Sequence, residues 1–483
     1  MKFSIKTSKP APTSFTEDQT KAYNSLISFI NSDFDDKDYK RALVGPAGTG
    51  KTYLIRSLIK NCNLSYSVIG LAAPTHKACR VLQESLGDVS CKLNTIASDL
   101  GLRINYNNEK FDINHPPFDP RGEIKIKTFK LYIVDESSML NRSLTGLLEK
   151  TCKTESCKII YVGDETQLAP VGEFYSPALR GIKTYRLNQI VRQEEDNPIR
   201  DLLDLLRFDV AHKTFNFINY ITKNPYRFDD YNTKGYAVCN QEDFTRLVYT
   251  NFTDERLTND VDYAKIVAYT NINVSAWNKF VRNAIIKDAA KSVITQHDLF
   301  ISYITIVNMF KVPILKNSED YIIKEVVNYV HPKYGFKGFL CRFICIHGGN
   351  ETTPIFVLDH TDNFSVQKYL QVLDNLIKDA KTANTKVRSV KWKEYFEFKE
   401  SCLLLVDIKD RLGNSVANRS IDYGFALTSH KSQGSTFDTV FVDVNDIVFD
   451  SNGRVWNNVE EINRRLYVAC SRCKNKLYLR YGQ

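Results

Sequence analysis

A chain of 483 residues is too long for one compact unit, and at roughly 100 to 200 residues per domain it implies about three. Apolar residues make up 43%, ample for buried cores, and 65 Lys and Arg against 56 Asp and Glu give a net charge of +9, which favours a polyanionic partner without naming one. No apolar run of signal-peptide length opens the chain, no stretch approaches about 18 uninterrupted apolar residues, and 11 scattered cysteines suit reduced thiols in a cytosol, so a secreted or membrane-spanning protein is not expected.

After a polar leader from Lys9 to Ser14, the positions Ala22, Leu26, Phe29 and Ile30 follow helical spacing. Short β-rich runs then alternate with helical segments. "RALVG", "SVIGLAA", "KLYIVD" and "KIIYVGD" read as buried strands, and "YLIRSLIK" and "SLTGLLEKT" as helices between some of them. Such alternation implies right-handed crossovers and a parallel sheet. The pattern returns with "AKIVAYT", "YGFALTS", "DTVFVDV" and "KLYLRY", which predicts a second α/β domain. Two segments interrupt it. One, Gly101 to Lys127, contains "NHPPFDPRGE" and reads as a hairpin. The other, Asp298 to Gly413, holds β-like runs such as "GFLCRFICI" and a Lys-rich helical part. Cys341 and Cys345 on one strand face are expected in a core. The Cys470 and Cys473 pair has no second pair at a spacing that would complete a zinc site.

The chemistry begins at Gly45 to Thr52, "GPAGTGKT", which fits a phosphate-binding loop at every fixed position. Its glycines (Gly45, Gly48, Gly50) let backbone N–H groups turn inward around phosphates, Lys51 would reach the β and γ phosphates, and Thr52 would meet Mg²⁺ at a helix N-terminus. A phosphate cradle also needs carboxylates. "LYIVDESSM" supplies Asp135 to bind Mg²⁺ and Glu136 to polarise an attacking water, both at the end of an apolar run. Gln167 in "GDETQLAPV" sits just past the next strand, where an amide could contact the γ phosphate and the water. Gln19 in "FTEDQ" has an amide that could pair with the two-faced edge of adenine.

Taken in order, "FTEDQ", "GPAGTGKT", "APTHKA", "TIASDL", "VDESSM", "GDETQLAPV", "LNQIVRQ", "AYTNINVSAWN", "ALTSHKSQGSTFDTVFV" and "RLYVACSR" resemble the motif series of superfamily 1 helicases, most closely the 5′-to-3′ branch that includes RecD and Dda. The resemblance runs over almost the whole chain. It implies two RecA-like P-loop domains with ATP between them, an inserted β-hairpin or pin, and an inserted small SH3-like β-barrel. The first domain would span 1–190 with the pin at about 101–127, the second 191–297 and 414–483, and the barrel 298–413. It further implies that Arg192 and Arg472 reach the γ phosphate, and that Gln433, Gly434 and Ser435 face the nucleotide. Pro74, Thr75, His76, Lys77, Thr95, Thr428, His430 and Lys431 become candidates for contacts to a single strand. Two departures stand out: Cys470 replaces a common Thr, and the pin aromatic is not fixed between Phe111 and Phe118. Trp392 could stack on a base or belong to a core.

The resemblance implies an ATP- and Mg²⁺-dependent motor on single-stranded DNA and duplex forks, acting as a monomer, with a single-strand-binding or replication protein as a further partner and no membrane. The compartment would be a cytoplasm, bacterial if the gene is a phage's. Replication, recombination and repair all suit such a motor. An RNA helicase of a virus and a P-loop switch without a motor remain alternatives, separated by discrimination at the 2′-OH and by whether nucleic acid stimulates ATP turnover.

Overall fold

The computed structural model describes residues 14–105, 118–189, 197–287, 289–308, 312–409, 413 and 415–482. Arg192 and Phe111 lie outside them. The four strands foreseen in the first α/β region all form. With Lys92–Thr95 and Lys183–Arg186 they make a six-stranded parallel sheet in the order Lys92–Thr95, Ile69–Ala73, Leu131–Val134, Lys158–Gly163, Lys40–Val44, Lys183–Arg186. Their unbroken apolar character follows from burial on both faces. Leu43, Leu71, Ile133 and Ile160 pack against helices Glu17–Asn31, Lys51–Asn61 and His76–Leu86. The alternate residues Ala42, Val44, Tyr132 and Tyr161 pack against helix Arg142–Thr154 on the other side.

The second sheet has the order Ala426–Thr428, Ala264–Ala268, Phe437–Asp443, Cys473–Arg480, Gly235–Cys239, Tyr226–Phe228, parallel except for the last pair. Its last two strands, Gly235–Cys239 and Tyr226–Phe228, are not visible as apolar runs in the sequence. Both are short, and Tyr226 is exposed.

The large insertion folds as a third sheet in the order Cys402–Leu403, Ile355–Leu358, Lys337–Cys345, Asp320–Val330, Leu299–Ser302, Ile421–Tyr423. It is antiparallel but for the first pair. Its last strand lies beyond Gly413, the expected end of the insertion. The chain then passes through Gly424 into the second domain's strand Ala426–Thr428, and a Cβ at Gly424 would stand 3.0 Å from Leu299 Cγ, a tight contact that the Leu299 side chain would have to relieve. The Lys-rich segment divides into helices Asn363–Thr382 and Arg388–Ser401. Trp392 is 4% exposed in their shared core with Tyr369, Tyr395 and Phe398, which puts it in packing and not at a surface for bases. Cys341, Cys470 and Cys473 are buried thiols, and Cys345 is half-buried.

The smaller interruption forms an antiparallel ladder between Leu102–Ile104 and Phe118–Pro120. Its base is closed where Gly122 N–H donates to Gly101 O at 2.8 Å. Gly101 has φ 61°, and a Cβ there would meet Gly122 C at 2.7 Å. Phe118 is 54% exposed. No helix among the described residues is long and apolar enough to cross a membrane.

Candidate active site and strand-facing loops

The strand Lys40–Val44 delivers Gly45 into a tight loop, with Gly45 N–H donating to Gly163 O at 3.1 Å. Gly48 and Gly50 then take φ of 84° and 78°, left-handed conformations that glycine adopts at no steric cost. Gly50 caps helix Lys51–Asn61, so the loop's N–H groups and the helix N-terminus converge on one point. Lys51 Nζ donates to Gly45 O at 2.6 Å and Pro46 O at 2.8 Å, and Thr52 stands half-buried in the first turn.

Gln19 braces this loop from below. Thr16 and Gln19 form a reciprocal cap on helix Glu17–Asn31, and Gln19 Nε2 donates to Thr49 O at 2.9 Å. The side chain is 2% exposed, and the carbonyl half of its amide is occupied by the cap. A Cβ at Gly50 would stand 2.6 Å from Gln19 Nε2 on a left-handed backbone. Gly50→Ala is therefore expected to lower stability by ~1–2 kcal/mol and to weaken ATP binding. A denaturation midpoint and a nucleotide titration check this, and an unchanged ATP affinity would contradict it.

Asp135 and Glu136 follow strand Leu131–Val134. Asp135 Oδ1 accepts from Glu136 N–H at 2.9 Å, and Glu136 takes φ 50°, an unusual conformation for a residue with a side chain and one that aims its carboxylate into the cleft. Ser176 Oγ clamps the turn beneath by donating to Ser137 O at 2.7 Å and Leu140 O at 2.8 Å. Burial raises the Asp135 carboxyl above its ordinary value, opposed by the Glu136 N–H and the Lys51 charge. Burial and then the Asp135 charge push Glu136 to about 7, opposed by Arg472 and Lys51. Two half-buried carboxylates side by side, with the Thr52 hydroxyl in the first turn after the phosphate loop, form an oxygen donor set that suits Mg²⁺.

The second domain completes the site. Gly434 has φ 72°, and its Cβ position lies 3.8 Å from Glu136 Oε1. Gln433 Nε2 donates to Leu168 O at 3.3 Å, across the cleft. Arg472 is 5% exposed at the end of helix Val459–Ser471. Its guanidinium donates to Val468 O at 3.1 Å, Ser435 O at 3.2 Å and Ser471 Oγ at 2.8 Å. Two buried polar atoms here lack hydrogen-bond partners among the described residues, Gln167 Oε1 and Ser435 Oγ. Such orphans are costly unless a ligand satisfies them.

Of the eight strand-contact candidates, four are helix or turn caps or flank one. Thr75 Oγ1 accepts from Ala78 N–H at 3.2 Å, Thr95 Oγ1 from Ser98 N–H at 3.3 Å, and Thr428 Oγ1 from Lys431 N–H at 3.2 Å, while Pro74 is half-buried beside Thr75. His76 and His430 are held below the ordinary histidine value by burial, with Lys316 and Arg465 respectively adding to it.

The lysines turn inward. Lys77 Nζ donates to Asp320 Oδ2 at 3.0 Å, with side chains 5% and 0% exposed, so its ammonium is not presented to a strand. Lys431 Nζ donates to Asn317 Oδ1 at 3.0 Å and lies 4.5 Å from the Tyr303 ring centroid, and burial lowers it to about 8. The inserted sheet thus reaches both loops through one turn, Asn317 to Asp320. Arg80 adds a third contact, 3.4 Å from Glu319. Sequence reading missed Asn317, Asp320 and Arg464, because none sits in a pattern that separates it from ordinary surface or core positions, and it gave Tyr467, inside "RLYVACSR", no role of its own.

Residues 17–220 match the family model described as an AAA domain. An uncharacterized protein, R530 of Acanthamoeba polyphaga mimivirus, is 26% identical over 534 residues, covering 96% of this chain and 99% of that protein. The ATP-dependent DNA helicase dda of Enterobacteria phage T4 is 26% identical over 299 residues, 60% of this chain and 62% of that protein. The ATP-dependent RecD2 DNA helicase of Deinococcus radiodurans is 30% identical over 159 residues, 32% of this chain and 20% of that protein. With the motifs in family order and the two α/β sheets, these relatives make the chain similar to the RecD- and Dda-like branch of the superfamily 1 helicases.

Proposed function

We propose that this protein hydrolyses ATP to move 5′ to 3′ along single-stranded DNA and to separate duplex at a fork. The observation that carries the reading is the composite site, in which Lys51, Asp135 and Glu136 of one domain face Gly434, Ser435 and Arg472 of the other. A site divided between two domains couples the state of the nucleotide to their separation.

In this reading the loop N–H groups from Gly48 to Lys51 cradle the phosphates, and Lys51 exchanges two backbone carbonyls for phosphate oxygens. Thr52 and Asp135 hold Mg²⁺, which supplies charge neutralisation when bound. Glu136, whose carboxyl sits near 7 through burial, takes the proton of the attacking water. Gln167 orients that water with its otherwise unpartnered amide oxygen. Arg472, and Arg192 from outside the described residues, stabilise charge on the transferring phosphoryl group. Gln433, Gly434 and Ser435 close over the nucleotide from the second domain. Gln19 sets the shape of the loop's end and leaves one amide hydrogen for the base.

The single-stranded DNA crosses the C-terminal ends of the sheet strands, gripped by Pro74, Thr75, His76 and Thr95 on one domain and Thr428 and His430 on the other. Lys77 and Lys431 act through the Asn317 to Asp320 turn. The ladder around Phe118 serves as the pin, and the inserted sheet as the SH3-like element beside it. The protein works as a monomer, with single-strand-binding or replication proteins as partners in the compartment where the DNA is copied. Phosphate contacts carry no sequence information, so binding is expected to be insensitive to sequence and to weaken steeply as salt rises. Fluorescence anisotropy on two unrelated oligonucleotides across a salt series measures both, and a flat salt response would count against the reading.

Strand separation of duplexes with a 5′ or a 3′ single-stranded tail, with ATP and Mg²⁺, tests the function. Unwinding of the 5′-tailed duplex alone is expected, with loss in Lys51→Ala. Unwinding only from the 3′ tail would overturn the polarity, and unwinding of RNA in preference to DNA would overturn the substrate.

A further inference from the structure

We propose that Tyr467 and Arg464 are positioning residues for ATP hydrolysis. They latch helix Val459–Ser471 of the second domain to the loop from Asp164 to Leu168 of the first, so that Arg472 and Gln167 reach the reacting phosphate together. The inference rests on the ATPase reading above and adds to it residues that touch no substrate.

The latch is built from bonds that all cross the cleft, those of Tyr467 and Gln433 buried and those of Arg464 nearer the surface. Tyr467 Oη donates to Asp164 Oδ2 at 2.8 Å, and the two residues are 1% and 2% exposed. Arg464 Nη1 donates to Glu165 O at 2.5 Å and to Gln167 O at 2.8 Å. Gln433 Nε2 adds its bond to Leu168 O. Arg464, Tyr467 and Ser471 recur at helical spacing on one face, and Arg472 follows directly, so the helix is a rigid arm with the latch along its length and the arginine at its end.

The loop it holds is the one that presents Gln167. Asp164 Oδ1 accepts from Thr166 N–H at 2.9 Å, which shapes the turn, while Oδ2 is left to receive Tyr467. The backbone oxygen of Gln167 is pinned by Arg464, yet its side-chain oxygen is buried with no hydrogen-bond partner among the described residues. Backbone fixed and amide uncommitted is the arrangement a water-orienting group requires. Arg464 is itself oriented by Glu460, whose Oε1 accepts from Arg464 Nη2 at 3.1 Å. Hydrolysis needs the arginine of one domain and the glutamine of the other placed together to a fraction of an ångström. Their own contacts do not supply this, because among the described residues Arg472 donates only to acceptors of its own domain.

The test is ATP turnover with saturating single-stranded DNA, by wild type, Tyr467→Phe and Arg464→Ala, each also built in an Arg472→Ala background. Tyr467→Phe keeps the ring and removes one hydroxyl. Its kcat is expected to fall about tenfold, the size of one lost positioning bond, with KM for ATP unchanged. In the Arg472→Ala background the same substitution should cost less, since only Gln167 is then left to position. Arg464→Ala should repeat the pattern and serves if Tyr467→Phe folds poorly. The inference is overturned if Tyr467→Phe and Arg464→Ala both retain wild-type kcat. It is also overturned if KM rises as kcat falls, or if the loss is the same with and without Arg472. A wild-type protein that turns over no ATP on DNA would instead overturn the ATPase reading itself.

Discussion

Arg472→Ala is expected to lower ATP turnover on the order of 10³-fold, the range found when an arginine that stabilises transferring phosphoryl charge is removed. The guanidinium is prepared for that task before any substrate arrives. Three acceptors of the second domain hold it, it is 5% exposed, and its charge lowers the Glu136 carboxyl, so it already acts on the reacting face of the first domain. The phosphoryl charge it stabilises develops only in the transition state, so ATP affinity should change little and the loss should appear in kcat. Arg472→Lys should not restore the rate, because an ammonium cannot keep the Val468, Ser435 and Ser471 bonds as a planar fork does. Single-turnover hydrolysis with a parallel nucleotide titration decides the matter. A rate within tenfold of wild type would remove Arg472 from the catalytic set.

The second large effect is structural. Lys77→Met removes the principal partner of Asp320, a carboxylate with no exposed surface, and is expected to cost about 3 kcal/mol, as breaking one side of a buried pair does. Lys265 Nζ, 3.9 Å from the other carboxylate oxygen, offsets only part of this. Asp320→Asn added to Lys77→Met should recover much of the loss, since the stranded charge disappears. Urea unfolding of the three variants measures it, and a midpoint unchanged in Lys77→Met would show that the pair contributes nothing.

The pair has a definite pH dependence. Burial would raise the Asp320 carboxyl, but the Lys77 and Lys265 charges outweigh it and the group lies below its ordinary value of 3.8. A carboxyl depressed in the folded state contributes stability above its unfolded value, lost as pH falls through the folded one. Wild type should therefore lose an acid-side contribution below about pH 4 that Lys77→Met lacks.

How much of this was legible in the sequence depends on the range over which each feature is encoded. Gly45 to Thr52 could be read directly because the chemistry needs left-handed glycines, a lysine and a hydroxyl within one turn, and local geometry alone delivers them. Asp135 and Glu136 were legible because strand Leu131–Val134 is an apolar run whose end fixes where they emerge. The expected outer limit of the insertion was not. Ile421–Tyr423 joins the inserted sheet, yet only two residues separate it from the second domain's own strand, too few for any composition shift to mark.

The strand-facing lysines show the other limit. In "APTHKA" and "TSHKSQ" they read as cations free for phosphate, and a motif carries no sign of what packs over it. Lys77 meets Asp320 across 243 positions, and Tyr467 meets Asp164 across 303. The order of motifs, the phosphate loop, the paired carboxylates and the doubled α/β pattern were thus determined by the sequence itself, since each rests on periodicity or on backbone conformations available to a few adjacent residues. Which charges are buried, which amide braces the loop and which helix locks onto which turn were decided only in the tertiary structure, because burial and hydrogen bonding there depend on how three sheets close on one another.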